Sequence, residues 1–158
     1  MPINREFVGR RYAADEIYEV SREKIRQFAD AIGDPHPAYR DPAAARALGH
    51  PDVIAPPTFL TVLGFRFATA GPVIDPDFGL DYSLVVHGEQ RYQLHRPVRA
   101  GDRLRSEVTV EAIRDAGRNE LVVLRTDVTA DGGEPVATAH STLVSRGTAA
   151  ARSEAPAG

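Results

Sequence analysis

One segment constrains the fold of this chain more than any other, because it is apolar on nearly every side of a helix. The segment is PTFLTVLGFRFATAG, residues 57–71, in which Arg66 is the only charged residue. Pro57 suits the first turn of a helix, and Gly71 is typical of the residue that follows a helix. A helix that is apolar all round must be enclosed on most of its surface. The rest of the chain therefore has to supply a layer that wraps around it.

Four later segments have the composition of β-strands and can supply that layer. They are SLVVHGEQRYQLHRP (83–97), DRLRSEVTVEAI (102–113), NELVVLRTDVTA (119–130) and PVATAHSTLVSR (135–146). In the second segment Leu104, Val108, Val110 and Ala112 share one face, and charged residues occupy the other, as in a half-buried antiparallel strand. The short glycine-containing connections RDAGR and ADGGE predict hairpins.

The last of these strands carries small residues on one face. Ala137, Ala139, Ser141 and Leu143 alternate along it and would let a helix approach closely. Upstream, residues 10–20 are strand-like, and Ser21 is a good N-cap for a short amphipathic helix that ends at Gly33. These patterns predict an α+β fold in which a curved antiparallel sheet wraps around one long apolar central helix.

Composition excludes several classes of function. The net charge is -3 with a pI of about 5.9, and no basic stripe is present, so we expect no nucleic-acid ligand. The absence of cysteine excludes disulfides, thiolate metal sites and thiol nucleophiles. No apolar run reaches the ~18–20 residues of a membrane span, and the N-terminus lacks the apolar stretch of a signal peptide. We expect a cytoplasmic protein without a membrane span.

The stretch GDPHPAY, residues 33–39, is a candidate catalytic site. Asp34 and His36 are a carboxylate and an imidazole two positions apart, which is a possible acid/base pair. Six prolines lie between residues 34 and 57, at positions 35, 37, 42, 51, 56 and 57. Such a segment excludes long regular elements, and rigid loops of this kind often carry function.

Two longer stretches resemble a known family. FADAIGDPHPAYRDPAAARALGHPDVIAPPTF (28–59) and VVHGEQRYQLHRPVRAGDRL (85–104) are similar to the MaoC-like dehydratases. They resemble in particular the N-terminal-type accessory half of actinobacterial (3R)-hydroxyacyl thioester dehydratases, over roughly residues 5–147. The resemblance implies the hot-dog fold, as a single domain over residues 1–147. The small, polar and proline-containing composition of the C-terminus predicts a mobile tail at 148–158.

The resemblance also implies where catalytic residues would stand. Catalytic members carry the pattern Asp-x-Asn-Pro-x-His, whose Asp and His activate a water, and a backbone N–H at the start of the central helix holds the thioester oxygen. On that pattern this chain keeps Asp34, has His36 in place of the Asn, and has Tyr39 in place of the catalytic His. A tyrosine titrates near 10 and is a poor base at neutral pH.

A second departure concerns the oxyanion donor. The segment VIAPPTF matches the stretch where catalytic members read Ala-His-Gly, which places Pro56 on the His and Pro57 on the Gly. Because proline has no N–H, only the N–H groups of Thr58 and Phe59 remain as candidate donors for a bound carbonyl oxygen.

His87 and Gly88 are the remaining candidates for substrate binding, since a glycine inside a strand permits close approach of a ligand or another backbone. His87 and His95 would share one strand face about 26 Å apart, too far to chelate one metal. No metal and no cofactor are implied.

Each candidate also has a purely structural interpretation. Asp34 before a proline is a common turn starter, and Tyr39 could be a buried hydroxyl with one partner. Pro57 could simply initiate the helix, and His87 could pack in the core or at a dimer contact.

Three functional hypotheses stay open. In the first, the chain is a subunit of a (3R)-3-hydroxyacyl thioester dehydratase, or enoyl thioester hydratase, in fatty acid metabolism, and it needs a catalytic MaoC-like partner. In the second, it is a non-catalytic homodimer that binds an acyl thioester. In the third, it is an autonomous hydratase that uses Asp34 and His36. The acyl carrier would be coenzyme A or acyl carrier protein, and a homodimer or heterodimer is expected because a sheet edge is left unpaired after the last strands.

Overall fold

A computed structural model describes residues 2–66 and 71–150. The helices are α1 (Arg22–Ala31), α2 (Pro42–Ala47) and α3 (Thr61–Arg66). The strands are β1 (Arg11–Ala13), β2 (Tyr18–Glu19), β3 (Val85–Leu94), β4 (Arg103–Ala116), β5 (Asn119–Thr129) and β6 (Pro135–Ser145). In these residues no helix is long and apolar enough to cross a membrane.

The strands form one antiparallel sheet in the order β1-β4-β5-β6-β3, and β2 pairs with the other end of β4. The strand-like region near residue 12 is therefore two short strands rather than one. β6 lies inside the sheet, between β5 and β3. The unpaired long edge predicted after the last strands is thus β3, ten residues long, while the opposite edge strand β1 has three residues.

Two β-bulges change which residues face inward. In β4 the register shifts between Val110 and Ala112, so Ile113, which is 9% exposed, is buried where simple alternation places Ala112. In β3 the register shifts between His87 and Glu89. Because of this second bulge, His87 lines a cavity on the inner face, while His95 lies near Thr138 on the outer face. The prediction that His87 and His95 share a face is wrong.

Helix α1 begins as predicted, with the Ser21 side chain accepting a hydrogen bond from the Lys24 N–H. Ile25 and Ala29 on its apolar stripe are buried, but Ile32 is 49% exposed because the chain turns away at Gly33, where φ is +72°.

The apolar segment at 57–71 does not begin as a regular α-helix at Pro57. Bonds of the i to i+3 type run from Phe59 N to Pro56 O and from Thr61 N to Thr58 O, and α3 starts only at Thr61. Residues 67–70, which the predicted helix includes, lie outside the described residues. The core formed beneath this segment includes Phe59, Leu60 and Leu63 packed against Leu104 and Val128 of the sheet.

The predicted tail from residue 148 lies only partly within the described residues. The Thr148 side chain is buried and donates to the Ser145 carbonyl, and the Ala149 N–H donates to the Arg118 carbonyl. Residues 151–158 lie outside the described part.

Candidate functional site

The stretch 33–39 is a tight turn held by its own side chains. The Asp34 carboxylate accepts the backbone N–H of His36 at 3.1 Å, and His36 Nδ1 accepts the N–H of Ala38 at 3.1 Å. This second bond caps the short 3₁₀ helix Pro37–Tyr39. Because Nδ1 accepts a hydrogen bond, the proton of the neutral imidazole is on Nε2. Both side chains therefore serve the backbone, as the structural interpretation of Asp34 predicts.

Tyr39 stands beside this turn, with its ring centroid 5.3 Å from that of His36. Burial, followed by the negative charge of Asp34, raises the pKa of the Tyr39 phenol above its usual value of 10.0. The phenol is therefore neutral at physiological pH and does not act as a general base there.

Arg40 fixes the turn to the end of α1. Its guanidinium donates to the Asp34 carbonyl oxygen at 2.6 Å and pairs with the Asp30 carboxylate. A second link connects the turn to the double proline, because the Ile54 N–H donates to the Ala38 carbonyl at 3.1 Å. The fold thus brings the turn with Asp34 and the start of the apolar segment next to one another.

The start of the apolar segment offers fewer donors than the sequence predicts. The Phe59 N–H donates to the Pro56 carbonyl at 2.9 Å, and the Phe59 ring is fully buried against Phe28 and Tyr18. Phe59 is thus a core residue whose N–H already has an acceptor in the protein, so this N–H is a weaker candidate donor to a ligand than that of Thr58. Thr58 is exposed, and its N–H makes no hydrogen bond to another described residue.

A cavity of about 280 Å³ lies between α3 and the inner face of the sheet. Its walls are mainly apolar, with Leu60 and Leu63 on one side and Val108, Leu124 and Leu143 on the other. His87 lines it, as the sequence suggests for a binding residue, whereas Asp34, His36, Tyr39 and Pro57 do not.

The polar groups of the cavity are residues that sequence reasoning does not single out. Thr61 Oγ1 and Tyr92 OH form a hydrogen bond of 2.7 Å across it. Ser141 Oγ donates to Gln90 Oε1 at 2.6 Å, and His87 Nε2 lies 3.1 Å from the same oxygen. Period-two alternation places Tyr92 and Gln90 on one face of β3, but only the order of the strands reveals that this face is the inner one.

Gly88 serves the shape of the strand rather than contacting the cavity. A Cβ at this position would lie 2.9 Å from Val144 Cγ2 and 3.3 Å from the Thr142 carbonyl oxygen. The glycine therefore allows the bulge that turns His87 inward. Among the described residues no group of three or more His, Cys, Asp or Glu side chains could hold a metal ion.

The sequence matches a family model described as FAS1-like, dehydratase domain region, over residues 6–139. A UPF0336 protein of Saccharopolyspora erythraea is 54% identical over 149 residues, which cover 94% of this chain and 95% of that protein. A UPF0336 protein of Thermobifida fusca is 47% identical over 149 residues, covering 94% of this chain and 97% of that protein.

Solved structures of dehydratases are also similar to most of this chain. A chain of the C-terminally truncated HadBC (3R-hydroxyacyl-ACP dehydratase) complex from Mycobacterium tuberculosis is 32% identical with a TM-score of 0.77, covering 87% of this chain and 96% of that one. A MaoC-like dehydratase is 34% identical with a TM-score of 0.79, covering 89% of this chain and 42% of that longer one. A MaoC-like dehydratase from Rhodospirillum rubrum, at 23% identity and a TM-score of 0.71, shares the fold. The predicted α+β hot-dog fold is confirmed.

Proposed function

This chain belongs to the FAS1-like dehydratase-region family, and from that premise we propose that it is the accessory subunit of a heteromeric (3R)-3-hydroxyacyl thioester dehydratase. The partner subunit supplies the general base and the oxyanion donor. This chain supplies the cavity that encloses the acyl group. The reaction served is the reversible loss of water from a (3R)-3-hydroxyacyl thioester to give the trans-2-enoyl thioester.

The observation that carries the proposal is the state of the catalytic turn. A general base must take a proton at neutral pH, yet the residue at the base position is Tyr39, whose phenol pKa is raised by burial and by Asp34. The neutral phenol has no lone pair of sufficient basicity to activate water.

The oxyanion position supports the same conclusion. Pro57 has no N–H, and the Phe59 N–H is bonded to Pro56, which leaves the single exposed N–H of Thr58. Loss of one oxyanion donor typically costs about 100- to 1,000-fold in rate, and loss of a general base costs a further 100-fold or more. The two losses together leave little catalysis in the chain by itself.

The cavity fits the role of an acyl-binding subunit. Its mainly apolar walls gain free energy when they remove an alkyl chain from water, at about 0.8 kcal/mol for each methylene buried. The cavity reaches the edge strand through His87, Gln90 and Tyr92, so a strand added to β3 would lie next to this end of the cavity.

Strand β3 is the proposed site of partner contact. It is a ten-residue edge, and Val86 and Leu94 on it are 43% and 37% exposed. An exposed long edge is a template for pairing with another strand. A chain of the HadBC complex, to which this chain is 32% identical, comes from a heteromeric dehydratase, which favours a heterodimer with a catalytic MaoC-like subunit.

The third hypothesis, an autonomous hydratase using Asp34 and His36, has less support. An acid/base pair needs a carboxylate oxygen and an imidazole nitrogen that are free to reach the same water. Asp34 instead bonds the backbone N–H of His36, and the imidazole Nδ1 is occupied by the Ala38 N–H. A homodimer that only binds acyl thioesters, carried by coenzyme A or acyl carrier protein, uses the same cavity and edge and is distinguished below.

The test is hydration of crotonyl-coenzyme A and longer trans-2-enoyl-coenzyme A thioesters, followed by loss of enoyl absorbance. The purified chain is assayed alone and with a MaoC-like chain that carries Asp-x-Asn-Pro-x-His. We expect no turnover alone, and either new activity or a shift toward longer substrates when the two are mixed.

A pair of edge variants makes the test specific. Val86→Lys places a charge on β3 and should abolish the effect of mixing, whereas Val8→Lys, at a valine that is 47% exposed away from that edge, should leave it intact. Turnover by the chain alone that falls at least ~100-fold in Asp34→Ala would overturn the accessory role. Silence in both assays, together with acyl-coenzyme A binding, would favour the homodimeric binding protein.

A further inference from the structure

A row of polar side chains crosses the floor of the otherwise apolar cavity. It consists of Ser106 on β4, Thr126 on β5, Ser141 on β6 and Gln90 on β3, all of which line the cavity. Thr126 stands opposite Val108, two residues along from Ser106, and Ser141 stands opposite Leu124, two residues along from Thr126. Ser106, Thr126 and Ser141 are therefore diagonal neighbours on one face, and Gln90 stands directly opposite Ser141. We call these four residues the polar diagonal.

The two ends of the polar diagonal differ in their hydrogen bonding. At the edge strand, Ser141 and Gln90 bond each other, and His87 joins them. Deeper in, Ser106 is 5% exposed. The hydroxyls of Ser106 and Thr126 make no hydrogen bond to any other described residue. The inner end thus holds two hydroxyls that face the cavity without a protein partner.

The fold itself does not need these hydroxyls. Valine has nearly the shape of threonine and a similar preference for strands, so it could replace Thr126. The neighbours of Thr126 on the same floor, Val108, Leu124 and Val128, are already apolar. A plain alkyl chain laid over Thr126 and Ser106 would exclude water from two unpaired hydroxyls, which is unfavourable. A floor built only for alkyl chains would carry apolar residues at both positions.

We propose that the cavity accepts an acyl chain that carries a hydroxyl or keto oxygen several carbons beyond the thioester, bonded by the inner hydroxyls of Thr126 and Ser106. A protein hydroxyl can donate to a ketone and can either donate to or accept from an alcohol, so both oxygen functions suit this site. The methylenes on either side of the oxygen pack on the apolar walls. The inference rests on the acyl-binding role proposed above and specifies its substrate class.

The test measures binding without requiring catalysis. Decanoyl-coenzyme A and its 5-, 7- and 9-hydroxy derivatives are titrated into the purified chain by calorimetry. We expect at least one hydroxy isomer to bind about 3- to 10-fold more tightly than decanoyl-coenzyme A, the scale of one net hydrogen bond. Thr126→Val should remove that preference and leave decanoyl-coenzyme A bound at least as tightly as before.

The matched control is Thr142→Val, the same change on the outer face of β6, where the side chain does not line the cavity. It should keep the preference of the wild-type chain. Equal or tighter binding of decanoyl-coenzyme A than of every hydroxy isomer overturns the inference but leaves the acyl-binding role intact. A preference that survives both Thr126→Val and Ser106→Ala also overturns it. Failure of all four ligands to bind overturns the acyl-binding role as well.

Discussion

The backbone N–H of Ile54 donates to the carbonyl of Ala38 at 3.1 Å, and this bond joins the Asp34 turn to the double proline. Under the proposed function, this bond holds the base position and the oxyanion position side by side, with Tyr39 and Pro57 in place of the catalytic groups. Restoring those groups is a direct test of the proposal.

The first prediction is that activity can be restored. A variant with His36→Asn, Tyr39→His and Pro57→Gly recovers the pattern Asp-x-Asn-Pro-x-His and a backbone N–H. We expect hydration of crotonyl-coenzyme A to rise at least ~100-fold above the wild-type chain, because the base and the donor each contribute about that factor. The control is the triple variant with His36→Asn, Tyr39→Phe and Pro57→Gly, which lacks the base and should stay inactive. A folded triple variant that is no faster than this control would contradict the prediction.

The second prediction concerns the buried ion pair between Arg96 and Asp102. Arg96 donates two hydrogen bonds to Asp102, with side chains 15% and 7% exposed, and it also binds Glu134. The hydrogen bonds to Asp102, and to a lesser extent those to Glu134, raise the pKa of Arg96 further above its usual range. Asp102→Ala leaves a buried cation short of a partner and should lower the free energy of unfolding by about 3 kcal/mol, measured by urea denaturation.

Arg22 and Asp52 provide the comparison, since Arg22 is 58% exposed in a pair of similar bidentate geometry. Arg22→Ala should lower the free energy of unfolding by clearly less than Asp102→Ala does, because solvent screens an exposed pair. Equal losses in the two variants would mean that burial does not matter here.

The third prediction is an alkaline loss of stability that depends on Tyr39. Its phenol pKa is raised in the fold by burial and then by Asp34, so the folded chain holds the proton at a pH where the unfolded chain has released it. Stability from this group is therefore full below pH ~10 and is lost as the pH rises through the folded pKa. Urea unfolding of wild type and Tyr39→Phe at pH 8 and pH 11 should show a smaller loss in the variant. Identical losses would refute the assignment.

The fourth prediction concerns the bulge in β3. Gly88→Ala places a Cβ 2.9 Å from Val144 Cγ2 and 3.3 Å from the Thr142 carbonyl oxygen, so Val144 or the bulge itself must shift, and a shift of the bulge would displace the neighbouring His87. We expect weaker acyl-coenzyme A binding and a lower melting temperature. Adding Val144→Ala to the Gly88→Ala chain removes the methyl group that the new Cβ would meet. This double variant should recover part of the acyl-coenzyme A binding and part of the melting temperature. Val144→Ala in the otherwise unchanged chain is the control for the loss of that methyl group. A fully stable Gly88→Ala chain with unchanged binding would contradict this account of the glycine.

The fold could be predicted from the sequence because its strongest signals are periodic and local. The Ser21 cap and the alternation in β4 as far as Val110 are local preferences that the tertiary structure keeps, whereas the apolar segment at 57–71 becomes an α-helix only from Thr61. The strand order could not be predicted in this way. That β3 rather than β6 forms the free edge depends on long-range pairing, which no local pattern encodes.

The candidate site also contains some residues that the sequence predicts and others that it does not. The turn with Asp34, His36 and Tyr39 was found because proline, aspartate and glycine act on their immediate neighbours. The polar diagonal was missed, since Ser106, Thr126 and Ser141 come from three strands and meet only in the sheet. The faces of His87 and His95 were misassigned because one extra residue at a bulge reverses every side chain beyond it.

The unequal edges of the sheet limit how such chains can assemble. One side ends in a strand of three residues and the other in a strand of ten. Once the longer side has taken up a neighbour, the other side offers the three-residue β1 and the end of β4 that extends past it, and short edges recruit further chains poorly. Pairing through β3 would therefore favour a closed pair over continued growth into a fibre.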